Sequence, residues 1–425
     1  MAGSVPSSMW DFIPHIEQGD HIAWPQGTGE PLGLTNRLFD QAAALPRPTL
    51  VLGLTSSATL SRREAPEFDY LCLNGASNTR RAAALSRNRI IPAHLSAIPG
   101  LIEKRIIPVD VALIRVRPTR DAGVFSLGVI ADFVHETIAA ARVVIAEIDE
   151  RMPLTSGDTL VSRDQITCFT SADGSEVEIA DAKPGETDRI VARRVAEIIP
   201  DRATVQFGVG GLPVGVAQAL GSHKDLGLHS GVIPDAAVPL FETGVITNRF
   251  KGVDEGVSVT GGLFGTRRLF DFADRNDAIA MRRVTYTHSA LSMAQLQGFH
   301  TVNSAVAIDL SGQVNAEVAG GRYIGAVGGQ VDFVRGGRLS PGGRSIIALA
   351  STTPDGRHSK IVADLTGQPV TTARSDVDLV VTEFGVAELW GRDLAERARA
   401  LIAIAHPDFQ EALERQFYTT STGGK

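Results

Sequence analysis

The sequence predicts a two-domain α/β protein built on mainly parallel sheets. Three observations predict it: a length of 425 residues, an alternation of short apolar runs with helical patterns, and one change of texture near the middle of the chain. The length suits two or three domains. The chain is 43% hydrophobic and 21% charged, the balance of a protein that buries a full core. Runs rich in Val, Ile and Leu fall at 49–54, 109–116, 143–148, 203–209, 302–310, 345–350 and 378–381. Continuous apolar strands of this kind suit parallel sheets covered on both faces. Helical patterns lie between them, at 132–141, 214–220 and 394–405, the last opened by Asp393 as an N-cap. Alternation of the two element types argues α/β. Ser, Asp, Gly, Lys and Pro accumulate at 171–187. That stretch is expected to connect an N-terminal domain, 1–185, to a C-terminal domain, 186–425.

The bulk numbers also exclude. A formal net charge of -7 argues against a nucleic-acid binder, which would show a basic domain. An anionic ligand stays open, since a local pocket can differ from the whole surface. The two cysteines, Cys72 and Cys168, have no metal-ligand spacing and read as reduced thiols. Neither a zinc site nor any other metal is expected. Histidines are scattered, without HExxH spacing, and read as structural. No run approaches the roughly 18 apolar residues of a membrane helix, and residues 1–10 lack a signal-peptide pattern. A cytoplasmic protein with no membrane partner is expected.

Four stretches could carry chemistry. Gly208-Val209-Gly210-Gly211-Leu212-Pro213 follows a strand and opens a helix, where backbone N–H groups can approach an anion. Pro213 replaces the third glycine of a dinucleotide fingerprint, and a plain tight turn reads as well. Asn303 to Asn315 reads as one buried strand followed by a turn at Ser311-Gly312. Period-2 geometry puts Ala305, Ala307 and Asp309 on one face. A buried acid needs partners, so Asp309 is expected to fix the turn. Gly328-Gly329-Gln330-Val331-Asp332 suits a backbone that lines a ligand. In Thr382-Glu383-Phe384-Gly385, Gly385 could offer its N–H to an oxyanion, or the segment is simply a helix entry. No GxSxG elbow is present.

The wording and order of these stretches resemble one family. The segment 206–220, Lys224-Asp225-Leu226-Gly227-Leu228-His229, Gly244-Val245-Ile246-Thr247-Asn248, 303–315, 328–333, 381–391 and 396–409 are similar to the acetyl-CoA hydrolase/transferase family. So are 109–113, Ser126-Leu127-Gly128 and 144–153 in the first half. The resemblance runs from about residue 15 to about residue 415, and is nearest the 4-hydroxybutyrate/acetate CoA-transferase branch. It implies two CoA-transferase-type domains with the active site in the cleft between them, and a homodimer. It implies coenzyme A or an acyl-CoA as substrate and a carboxylate as second partner. Gly208, Gly210, Gly211, Gly328, Gly329, Gln330 and Asp332 are then expected to bind CoA, and Gly385 to assist catalysis. It further implies a ping-pong reaction through a glutamyl-CoA thioester. The resemblance aligns the family's glutamate with Ala307, whose methyl cannot attack a thioester. Ala326 and Trp390 also depart from the family's usual glycine and arginine. Three readings of Ala307 follow: an engineered Glu→Ala form, a hydrolase or other acyl-CoA enzyme with altered chemistry, or a non-catalytic CoA-ester binder. A sugar-phosphate isomerase-like or regulatory domain on the same fold is a further class, disfavoured because the matching wording spans the chain.

Overall fold

A computed structural model of the chain describes residues 5–62, 67–85, 89–174 and 176–422. Two nine-stranded sheets organise it. The first runs Val5–Pro6, Cys168–Ser171, Val143–Ile148, Val111–Pro118, His21–Ala23, Thr49–Leu52 and Asp69–Cys72, every neighbour pair parallel. Val124–Ser126 and Leu160–Ser162 join it antiparallel. The second runs Gly385–Glu388, Leu379–Thr382, Arg344–Ala348, Phe299–Ser304, Thr204–Gln206, Gly227–Ile233, Ser258–Leu263, Ile279–Met281 and Ser156–Gly157. Only its first pair is antiparallel.

The apolar runs explain this arrangement. Val111, Ala112, Leu113 and Ile114 are all fully buried, as strands covered on both faces require. Helix Leu394–Ala403 begins at Asp393, whose carboxylate accepts from Glu396 N while Glu396 accepts from Asp393 N. This reciprocal cap satisfies donors that a bare helix start leaves open. Residues 172–174 and 176–185 carry neither helix nor strand, and helix Glu186–Ile198 opens the second half.

The chain does not keep the halves apart. Ser156–Gly157, from the first half of the sequence, pairs with Met281 at the edge of the second sheet. One apolar cluster includes Ile114 and Ile130 from the first half and Phe207, Leu228 and Ile346 from the second. The run expected as a single strand at 302–310 is broken. Phe299–Ser304 belongs to the large sheet, whereas Ala307–Asp309 leaves it for a three-stranded sheet with Val314–Asn315 and Ile361–Val362. Asn303 and the exposed Ser304 interrupt the apolar run at this point, but a polar step alone does not say that the next strand joins a different sheet.

Candidate active site

Parallel strands point their carboxyl ends the same way, and open α/β sheets place ligands outside those ends where strand order reverses. In the second sheet Thr204–Gln206 lies between Gly227–Ile233 and Phe299–Ser304, so the chain leaves it in both directions. A cavity of about 280 Å³ sits at this point. Gln206, Phe207, Gly208, Gly231, Gly262 and Asn303 line it from the ends of the second sheet's strands. Gln26, Leu54 and Leu73 line it from the corresponding ends of the first sheet. The cavity is therefore where the two sheets face each other.

The loop expected to hold CoA is here. Gly328, Gly329 and Gln330 line the cavity, and helix Gln330–Leu339 starts at that point. Its free N–H groups and positive dipole end favour negative charge. The first half holds this loop in place. Leu95 N donates to Gly328 O at 2.8 Å, and Gly75 N to Gly325 O at 2.7 Å. Asp332 accepts from Ser96 N and Ser96 Oγ; it fastens the halves and does not line the cavity. Gly328 has φ +53°, a left-handed conformation that favours glycine. A Cβ on Gly329 would come 2.5 Å from His288 Nε2, so close an approach leaves no room for a side chain. Gln330 is held through its amide, which donates to Thr372 Oγ1.

His288 forms the floor. Its Nδ1 meets Thr287 Oγ1 at 2.8 Å and its ring packs on Phe333 at 4.5 Å between centroids. Burial pushes it down to about 3, so it is neutral at ordinary pH. The carboxyl of Asp132 is the only acidic side chain among the described residues lining the cavity, and no Lys or Arg joins it there. Burial pushes Asp132 up to about 7.

The other sequence-derived positions separate. Gly208 lines the cavity, but Gly210 and Gly211 do not. Gly210 has φ +111° and caps helix Gly211–Ala219, while Gly211 packs toward Asp188. Gly385 stands opposite Thr382 in an antiparallel hairpin and is absent from the cavity wall, so it does not open a helix there. Ala307 pairs with Asn315 in the small sheet and likewise lies outside the lining. The strand break at 305–306 carries it away while Asn303 stays. Asp309 fixes the turn at Gly312: it accepts from Ser311 N, Ser311 Oγ, Gln313 N and Gln313 Nε2. Asp132, Gln26 and His288 had no motif to mark them. The one available signal was an acid directly after the apolar run Val129-Ile130-Ala131. A wider surface trough of about 860 Å³ lies between 357–364 and helix Pro407–Thr422, and none of the expected site residues lines it.

Comparison with known proteins adds the chemistry. Residues 7–200 match the acetyl-CoA hydrolase/transferase N-terminal domain and residues 265–417 the C-terminal domain. The 4-hydroxybutyrate coenzyme A transferase of Clostridium kluyveri is 36% identical over 95% of this chain and 95% of its own length. The succinyl-CoA:cyclohexane-1-carboxylate CoA transferase of Geobacter metallireducens is 30% identical, covering 94% of this chain and 91% of its own. Among solved structures, RipA from Yersinia pestis superposes with a TM-score of 0.89 at 30% identity, over 96% of this chain and 95% of that one. A 4-hydroxybutyrate CoA-transferase from Porphyromonas gingivalis gives 0.79 at 30% identity over the same shares.

Proposed function

The chain belongs to the acetyl-CoA hydrolase/transferase family, and from that premise we propose that it transfers CoA from a short-chain acyl-CoA to a carboxylate. The observation that carries this reading is the cavity itself. It brings together a helix start, a glycine backbone and one carboxyl group at the meeting of two parallel sheets. The 328–330 backbone receives the thioester end of the acyl-CoA, where the helix dipole favours charge that develops on the carbonyl oxygen.

The lining also favours one class of acyl group. Leu54, Leu95, Ile98, Ile130, Phe264 and Phe333 make it largely apolar. A volume of about 280 Å³ is at the small end of ligand sites. A second carboxylate on the acyl chain would find no cationic partner among these residues, and an unpaired charge is costly to bury. The donor is therefore a monocarboxylic acyl-CoA of a few carbons, such as butyryl-CoA or propionyl-CoA, ahead of succinyl-CoA. The cavity's apolar wall keeps water from the reacting carbonyl, which favours transfer to a bound carboxylate over hydrolysis.

The test supplies acyl-CoA donors of increasing length, and succinyl-CoA, together with isotopically heavy acetate. Products are identified by mass. Heavy acetyl-CoA from butyryl-CoA or propionyl-CoA is the expected result. Release of free CoA without heavy acetyl-CoA would convert the reading to a hydrolase, and preference for succinyl-CoA would contradict the acyl-group assignment.

A further inference from the structure

We infer that Asp132 is the carboxylate that accepts the acyl group in this protein, an assignment that rests on the CoA-transfer reading above. The geometry supporting it has four parts. Asp132 is the acidic residue among the described residues lining the cavity. Its backbone is held at φ +29°, in the positive range that residues other than glycine rarely adopt, and strain of this kind persists only where surroundings enforce it. The enforcement is visible. Asp132 N donates to Gly261 O, Val284 N donates to Asp132 O, and Ile130 bridges to Gly262. A loop of the first half is thus clamped onto strand ends of the second, with its side chain directed into the space between.

The third part is the carboxyl's own hydrogen bonding. Gln26 Oε1 accepts from Leu54 N at 2.8 Å, which fixes which end of the amide faces Asp132. Gln26 Nε2 then donates to Asp132 Oδ2 at 2.5 Å. No described residue donates to Oδ1. One oxygen is therefore oriented and the other is free for a ligand, the arrangement expected of an aimed nucleophile. The fourth is the apolar company of Ile130, Phe264 and Val232 along the same wall. A carboxylate stripped of water there is a stronger nucleophile than one on the surface. Burial makes it a weaker acid, pushed up to about 7, and a more basic carboxylate is a better nucleophile.

The chemistry balances without any further reactant. Oδ1 attacks the thioester carbonyl carbon, the C–S bond breaks, and CoA leaves as thiolate. The acyl group and Asp132 now form a mixed anhydride. The thiolate attacks the Asp132 carbonyl carbon, the anhydride C–O bond breaks, and the donor carboxylate departs. An aspartyl-CoA thioester remains. The acceptor carboxylate repeats the two steps in reverse, leaving as acyl-CoA and returning Asp132 as carboxylate. No proton or electron is gained or lost.

The experiment uses the full chain with butyryl-CoA and heavy acetate. The parent, reacted with butyryl-CoA and quenched with borohydride, should carry a reduced aspartyl residue at position 132, read by peptide mass. Asp132→Asn should still bind butyryl-CoA by calorimetry while CoA exchange falls on the order of 10³-fold or more, since oriented nucleophiles reach effective molarities of roughly 10⁵ M and above. Asp132→Glu should recover part of the exchange. A folded Asp132→Asn protein exchanging at the parent rate, or a reduced residue elsewhere and none at 132, overturns the assignment and leaves CoA transfer standing. A parent that binds butyryl-CoA but exchanges it with no carboxylate defeats the transfer reading, and the assignment with it. Should Asp132→Asn fail to fold, the adduct on the parent decides alone.

Discussion

Asp132 and Glu147 are both buried acids of the first half, and burial pushes both up to about 7. Only one faces open space. Asp132 looks into the cavity with one oxygen oriented by Gln26. Glu147 is sealed inside: Oε2 accepts from Leu34 N, Oε1 has no partner, and a Cβ on Gly33 would strike the carboxyl. Glu30, also lifted to about 7 by burial, stands close enough to feel Glu147, and its Oε2 is likewise orphaned. The difference teaches that a shifted acidity marks a site only when the group can meet a ligand. Elsewhere it records a cost of folding.

The largest expected effect belongs to the cavity side. Asp132→Asn should reduce CoA exchange on the order of 10³-fold or more while leaving a cooperative melt, checked by exchange kinetics and calorimetry together. A parallel loss of stability and activity would erase the contrast with Glu147.

Gly329→Ala comes next. The added methyl would fall 2.5 Å from His288 Nε2, forcing the loop or the ring to move. Overpacking of this kind costs roughly 1–3 kcal/mol. Denaturant unfolding should show that loss, with a raised KM for acyl-CoA.

On the sealed side the signature is in pH. The folded acidity of Glu147, about 7, stands above the ordinary value of 4.5. The folded state then holds the proton more tightly than the unfolded one, so stability is fully present below pH 4.5 and is lost as pH rises toward 7. Arg115 and the Ser7 hydroxyl oppose the rise, Asp173 adds to it. Glu147→Gln removes the ionisation. Relative to the parent, the variant should gain on the order of 2–3 kcal/mol between pH 5 and pH 8. The background is not flat, because His229 and His288, pushed down to about 4 and about 3, lose stability as pH falls below 6.5. The difference between parent and variant cancels that contribution. A variant whose advantage is the same at both pH values would show that Glu147 is already ionised in the fold.

The smallest effect is expected at Ala307. Since the residue lies outside the cavity lining, Ala307→Glu treated with butyryl-CoA and borohydride should yield no modified residue at 307. A modified residue there would restore the alignment of that position with the family's glutamate.

Much of the scaffold is legible in the residues. The strands at 143–148 and 345–350, the helix after Asp393 and the turn held by Asp309 all follow from local pattern, since burial and capping leave their mark within a few residues. The glycine loop at 328–330 is legible too, because close backbone approach needs glycine. The small sheet is not: Asn303-Ser304 interrupts the apolar run, but a polar step does not say which partners the next strand takes. Nor is Asp132. Its neighbours in the cavity, Gln26, Gly261 and His288, are remote in sequence, and a helix start explains an aspartate there just as well. Gly385 shows the converse, a glycine whose surroundings suggested chemistry and whose place is a hairpin.

The short strand Ser156–Gly157 has a consequence for how the protein is made. Its partner, Ile279–Met281, is not synthesised until residue 281 has been added. The first half therefore leaves the ribosome with one strand still waiting for its neighbour. Ile130 and the loop through Asp132 wait in the same way for Gly261 and Gly262. A chain cut near residue 180 would yield a first fragment with an unpaired strand and a second with an uncovered edge. Such fragments are expected to recover the fold only on reassociation, and with it the pocket that neither owns.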